Sequence, residues 1–114
     1  MPANGSNLSN IEAYNACIFS NYNAVIIVGA SWCGPYKLIK PAFINYMNSI
    51  NISNYAFINL TDDSFSTNIA GTYNITTIPT ILVFKNYGAD SLVLPCSAAN
   101  WSSVKNQIAE FLGI

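Results

Sequence analysis

Histidine is absent from this 114-residue chain, and charge is scarce, with 8% of residues Asp, Glu, Lys or Arg. Without histidine there is no Cys–His nucleophilic pair and no imidazole-ligated metal site. The charged fraction lies far below the ~25% of ordinary globular domains. The net charge of −1 leaves no electrostatic footprint for nucleic acid. Charge this near zero also favours self-association. No apolar run reaches the ~18 residues of a membrane span, so no membrane partner is expected. Residues 1–10 have neither a basic segment nor an apolar one and do not read as a signal peptide. A cytoplasmic location is expected on that ground, with secretion after cleavage of a leader, or packaging in a virus particle, left open.

Cysteine is also sparse, at positions 17, 33 and 96. An odd number leaves at least one thiol unpaired within the chain. The wide spacing does not suit zinc, so no metal and no organic cofactor is expected. What abounds is asparagine, with 16 residues; amides and hydroxyls take over surface work usually done by charges. Six Asn-x-Ser/Thr triplets result, at Asn4, Asn7, Asn51, Asn59, Asn74 and Asn100. Composition alone produces such triplets, and Asn59 reads as part of a buried strand where a glycan would not fit.

The length suits one domain with a single core. Residues 1–8 read as a flexible polar arm and residues 9–114 as the folded unit. Ser9 and Glu12 match a capping box ahead of a helix over about 10–20, with Ile11, Ala13, Tyr14, Cys17 and Ile18 on its apolar face. Ala24 to Val28 is short, apolar and β-branched, the pattern of a central strand covered on both faces. A helix follows from Cys33 or Gly34, with Pro35 in its first turn and Leu38, Phe43, Met47 and Ile50 on its apolar side. Pro41 falls inside it and predicts a kink. Residues 55–60 read as a strand, 61–73 as a helix started by Asp62 and Asp63, and 80–84 as a strand. Residues 91–94 form its hairpin partner. A last helix begins near Asn100 or Ser102. The order α-β-α-β-α-β-β-α implies an α/β fold, one mixed sheet of four to five strands with helices on both faces.

The stretch Ser31-Trp32-Cys33-Gly34-Pro35-Tyr36-Lys37 carries the chemistry. It puts a cysteine where a strand turns into a helix. Unpaired N–H groups and the positive dipole end favour thiolate over thiol there, with modest help from Lys37. A second cysteine at Tyr36 would complete a Cys-x-x-Cys redox pair; it is missing.

Trp32-Cys33-Gly34-Pro35 with Lys37, then Pro41, Thr77-Ile78-Pro79-Thr80 and Phe84-Lys85-Asn86-Tyr87-Gly88, come in the order and at the spacing of the thioredoxin family, which the chain closely resembles after its N-terminal arm. The resemblance implies the thioredoxin fold and makes Cys33 the attacking thiol. It implies a cis Ile78–Pro79 peptide beside that thiol, with Ile78, Pro79 and Thr80 forming a groove for an extended peptide. Trp32 would flank the site, and Gly34, Pro35, Tyr36 and Lys37 would support it. Two positions depart from the family: its second redox cysteine falls at Tyr36, and its buried strand acid falls at Ile27. The losses fit each other, because a proton acceptor for a resolving thiol has no use once that thiol is gone, and a buried carboxylate is costly.

Two functions follow. One is monothiol disulfide exchange through Cys33, an oxidoreductase activity on protein disulfides or glutathionylated thiols bound in extended form. A monothiol cannot resolve its mixed disulfide with a neighbour; release needs glutathione or another external thiol, or Cys96, which the hairpin returns to the site. The other is a redox-inactive binding or structural module with Cys33 as a relic thiol. Cys96 is alternatively a small rim residue, and Cys17 reads as core. Tyr36 shields or narrows the space beside Cys33, or offers its hydroxyl to a thiolate.

Overall fold

The structure, a computed structural model, describes residues 2–114. Its elements are β1 (Ser6–Asn7), α1 (Ile11–Phe19), β2 (Ala24–Gly29), α2 (Gly34–Ser49), β3 (Tyr55–Asn59), α3 (Ser64–Thr72), β4 (Thr80–Lys85), β5 (Asp90–Pro95) and α4 (Trp101–Leu112). One five-stranded sheet runs in the order β1-β3-β2-β4-β5. β3 is parallel to both β1 and β2, while β4 is antiparallel to β2 and β5. The expected mixed sheet with helices on both faces is therefore the architecture, with one strand more than the predicted order.

That strand falls in the stretch expected as a flexible arm. Ser6 and Asn7 pair with Ala56 and Phe57, and Leu8 is buried. The Ala3 N–H donates to Asn54 Oδ1 at 2.9 Å. The backbone N–H groups of Gly5 and Leu8 donate to Tyr55 O and Phe57 O, both at 2.8 Å, so the arm is satisfied along the edge of β3.

β2 is buried along its whole length, as a fully apolar β-branched run at the sheet centre must be. Its alternating side chains feed two cores. Val25 and Ile27 join Ile81, Val83, Phe43, Met47, Val104 and Ile108 on the α2/α4 face. Ile26 and Val28 join Leu82, Phe84, Tyr14, Ile18 and Ile69 on the α1/α3 face. Each fully buried aliphatic side chain contributes about 1.5–3 kcal/mol.

The caps differ in detail from the sequence reading. α1 is capped by Asn10, whose Oδ1 accepts the Ala13 N–H at 2.8 Å, rather than by Ser9. Asn caps as well as Ser, and only Asn10 sits one residue before the first helical turn. Asp63 caps α3, accepting the Ser66 N–H at 2.8 Å. Asn74 adopts the left-handed conformation, φ 53°, that ends a helix. Two side chains expected in the core are outside it: Ile11 is 49% exposed and Leu38 64%. On α2 the inward positions are Tyr36, Ile39, Phe43 and Met47, a run at i, i+3, i+4 spacing that leaves Leu38 on the outer face.

Candidate functional site

β2 ends at Gly29, and four residues separate it from α2. The Leu60 N–H donates to the Gly29 carbonyl at 2.7 Å, and the Cys33 N–H donates to Ala30 O at 3.0 Å. The Ser31 N–H donates to Asn59 Oδ1 at 2.9 Å. Asn59 is not the buried residue expected from sequence. It ends β3 exposed, and its amide pins the start of the motif. Only its cross-strand position beside Gly29 makes this possible, so spacing carried no signal for it.

Cys33 is the N-cap residue of α2. Its Sγ lies 3.8 Å from the Ile78 carbonyl, a weak thiol donor contact. The thiol is 8% exposed, whereas the neighbouring Trp32 is 74% exposed. Gly34, Pro35 and Lys37 are exposed along the first turn.

The opposite wall is the turn into β4. The Ile78–Pro79 peptide is cis. Thr80 Oγ1 donates to Thr77 O at 2.7 Å, which closes the turn. Ile78 is half-buried; Pro79 and Thr80 are buried. The Cys96 N–H donates to Pro79 O at 3.0 Å, extending the β4–β5 ladder in which Thr80 pairs with Pro95. Cys33, Tyr36, Ile78 and Cys96 thus share one apolar cluster, while Cys17 lies on the other side of the sheet. Burial pushes the Cys96 thiol up to about 11. Burial likewise raises Cys17 to about 11, against a smaller opposing effect of its contact with Asn54.

Tyr36 turns inward and packs on Gly29. A Cβ built on Gly29 would lie 2.1 Å from Tyr36 Cδ1, so the ring occupies the space a side chain at 29 would take. Burial raises the Tyr36 phenol above its ordinary value, and its hydroxyl finds no hydrogen-bond partner among the described residues. Ile27 is fully buried in the same cluster. Among the described residues the buried polar side chains are Asn54, Ser66 and Thr80; none is a carboxylate. Where the resemblance implied a thiol and an acid, there is packed apolar surface.

Lys40, which the sequence did not single out, lies half-buried one turn beyond Tyr36. Its Nζ is 4.3 Å from the Phe57 ring centroid and 5.7 Å from that of Tyr36. With Lys37 it lines a cavity of about 600 Å³ beside the motif.

Comparisons with known proteins agree with this geometry. The sequence profile of the thioredoxin family matches residues 7–109. The thioredoxin of Mycoplasma genitalium is 39% identical over 64 residues, 56% of this chain and 60% of that protein. The thioredoxin of Mycoplasma pneumoniae is 36% identical over 69 residues, 60% of this chain and 65% of that protein. Both matches span less than two thirds of the relative's length. Mitochondrial thioredoxin 3 from Saccharomyces cerevisiae, solved in its oxidized form, superposes with a TM-score of 0.75 at 21% identity, covering 93% of this chain and 94% of that one; at this identity the likeness speaks for the fold. With the strand–cysteine–helix junction, the turn at Pro79 and a profile match over most of its length, the chain belongs to the thioredoxin family.

Proposed function

We infer that this protein performs thiol–disulfide exchange through one cysteine, Cys33, on protein disulfides or glutathionylated thiols that lie extended against Ile78, Pro79 and Thr80. The observation that carries the reading is the pairing of a thiol at the α2 N-terminus with a tyrosine where a second thiol would stand. In the forward step the Cys33 thiolate attacks one sulfur of the substrate disulfide. The Cys33–substrate bond forms, the substrate S–S bond breaks, and the second sulfur leaves as thiolate. An external thiolate of the glutathione class then attacks the mixed disulfide. Cys33 returns as thiolate, and the substrate leaves disulfide-bonded to the external thiol. No net electrons stay on the protein.

The external thiol is favoured over Cys96 as the resolving group. The attacking species must be a thiolate, and burial keeps Cys96 protonated near neutral pH. The low exposure of Cys33 favours the second reading, a redox-inactive module that uses the Pro79 groove or its surface for protein contacts. Incubation with a glutathionylated test protein and excess glutathione separates the two. Release of glutathione disulfide that is lost in Cys33→Ser and retained in Cys96→Ser supports exchange. No release above the uncatalysed rate supports the binding module. Robust insulin reduction with a thioredoxin reductase, recycled through a disulfide within the chain, would overturn the monothiol reading.

A further inference from the structure

The cavity beside the motif has an excess of hydrogen-bond donors that nothing among the described residues satisfies. Its walls come from the start of the motif, the first turns of α2, the end of β3 and the turn before α1. Lys37 is exposed at the rim and Lys40 is half-buried. Among the described residues neither has an ion-pair partner; Lys40 rests on aromatic faces instead. The Tyr36 hydroxyl has no partner among the described residues, and its oxygen is open to the cavity rather than sealed in the core, although the residue as a whole is only 5% exposed. Asn59 uses Oδ1 to accept from Ser31, and its amide N–H₂ has no acceptor among the described residues. The one carboxylate on the lining, Asp63, is engaged at the start of α3, where it accepts from the Ser66 N–H at 2.8 Å and from the Ser66 hydroxyl at 2.5 Å. Leu8, Phe65 and the Tyr36 ring supply apolar wall.

Two ammonium groups, a phenol and an amide call for a ligand rich in acceptors and negatively charged. The apolar wall and the volume of about 600 Å³ suit an organic body rather than a bare ion. We propose that this cavity binds a small organic carboxylate, with its charge between Lys37 and Lys40, its oxygens taking the Tyr36 hydroxyl and the Asn59 amide, and its carbon chain against Leu8 and Phe65. Cys33 does not line the cavity, so the site stands independently of the exchange chemistry.

Amide chemical shifts of the full chain, followed on titration with glutarate, neutral glutaramide and inorganic phosphate, test this. Glutarate moves the amides of Ser31, Tyr36, Lys40 and Asn59 saturably, glutaramide leaves them in place, and phosphate binds at least about tenfold more weakly. Losing one charge-assisted contact weakens glutarate about tenfold or more in Lys40→Met. Lys37→Met, whose side chain is exposed and outside the core, weakens it as well and serves if Lys40→Met folds poorly. Cys33→Ser binds as the parent does. Equal shifts with glutaramide, phosphate binding as tight as glutarate, or unchanged affinity in a folded lysine variant would overturn the assignment.

Discussion

Tyr36 and Gly29 occupy one volume between them. The ring lies where any side chain at position 29 would have to go, with Cδ1, Cγ and Cε1 all within 2.6 Å of an ideal Cβ there. Gly29 is needed here for space, at the β2 exit that leads to the thiol.

Gly29→Ala is therefore expected to destabilise the fold by about 1–3 kcal/mol, the usual cost of overpacking a core. Tyr36→Ala alone leaves a cavity, costing about 3–5 kcal/mol. In the double variant the two errors partly cancel. Urea denaturation of the four proteins gives the coupling; simple additivity would show that the ring moves aside freely.

Asn54 is a clasp at the other end of the sheet. Its Nδ2 donates to Cys17 O at 2.9 Å and to Asn23 O at 2.8 Å, and its Oδ1 accepts from the Ala3 N–H. Asn54→Leu takes the partner from the Asn23 carbonyl and the Ala3 N–H in a largely buried place, at about 1–3 kcal/mol for each group that water cannot reach, while the Cys17 carbonyl keeps Asn21 Nδ2 at 3.2 Å. Hydrogen exchange should rise at residues 3–8 before it rises in β2. Uniform exchange across the sheet would argue against the clasp.

Cys17 and Cys96 make the fold sensitive to alkali. Both thiols are raised by burial from 9.0 to about 11. In the unfolded chain they ionise first, so their contribution is complete below about pH 9. It falls away as pH rises toward 11. Melting temperature is expected to drop across that window. Cys17→Ala with Cys96→Ala should flatten the early part of the drop, leaving Tyr14, whose phenol burial also raises. A drop of unchanged shape in the double variant would assign it elsewhere.

Mild oxidation followed by peptide mapping is expected to find Cys33 joined to added glutathione and no Cys33–Cys96 bridge. A thiol at about 11 is thiolate to only about one part in several thousand at pH 7.5. An abundant Cys33–Cys96 bridge would restore Cys96 as the resolving group.

Cys33, Pro35 and the hydrophobic rhythm of β2 and β4 were legible because each expresses local chemistry: a helix start, a fixed φ, a β-branched run. Trp32 and Pro79 were expected at the site only through the family resemblance. Lys40, Asn59 and Gly29 were not. Each acts on a partner from another element: Phe57, Ser31 and Tyr36 respectively. The choice of Ile39 over Leu38 for the core was also hidden, since both are apolar and only the rotation of α2 about its axis separates them.

Beyond Ile27, which only the family resemblance marks as the place of a buried acid, the sequence by itself determined the order of elements from α1 to α4, the central buried strand, the lone thiol at a helix start, and the lack of a second thiol beside it. Those follow from residue type and spacing along one segment. The tertiary structure decided what took their place. It brought Tyr36 down onto Gly29, seated Lys40 on Phe57, and used Asn59 to hold Ser31. These pairings join residues 7 to 28 positions apart in the chain, and only strand register and helix rotation bring them within contact.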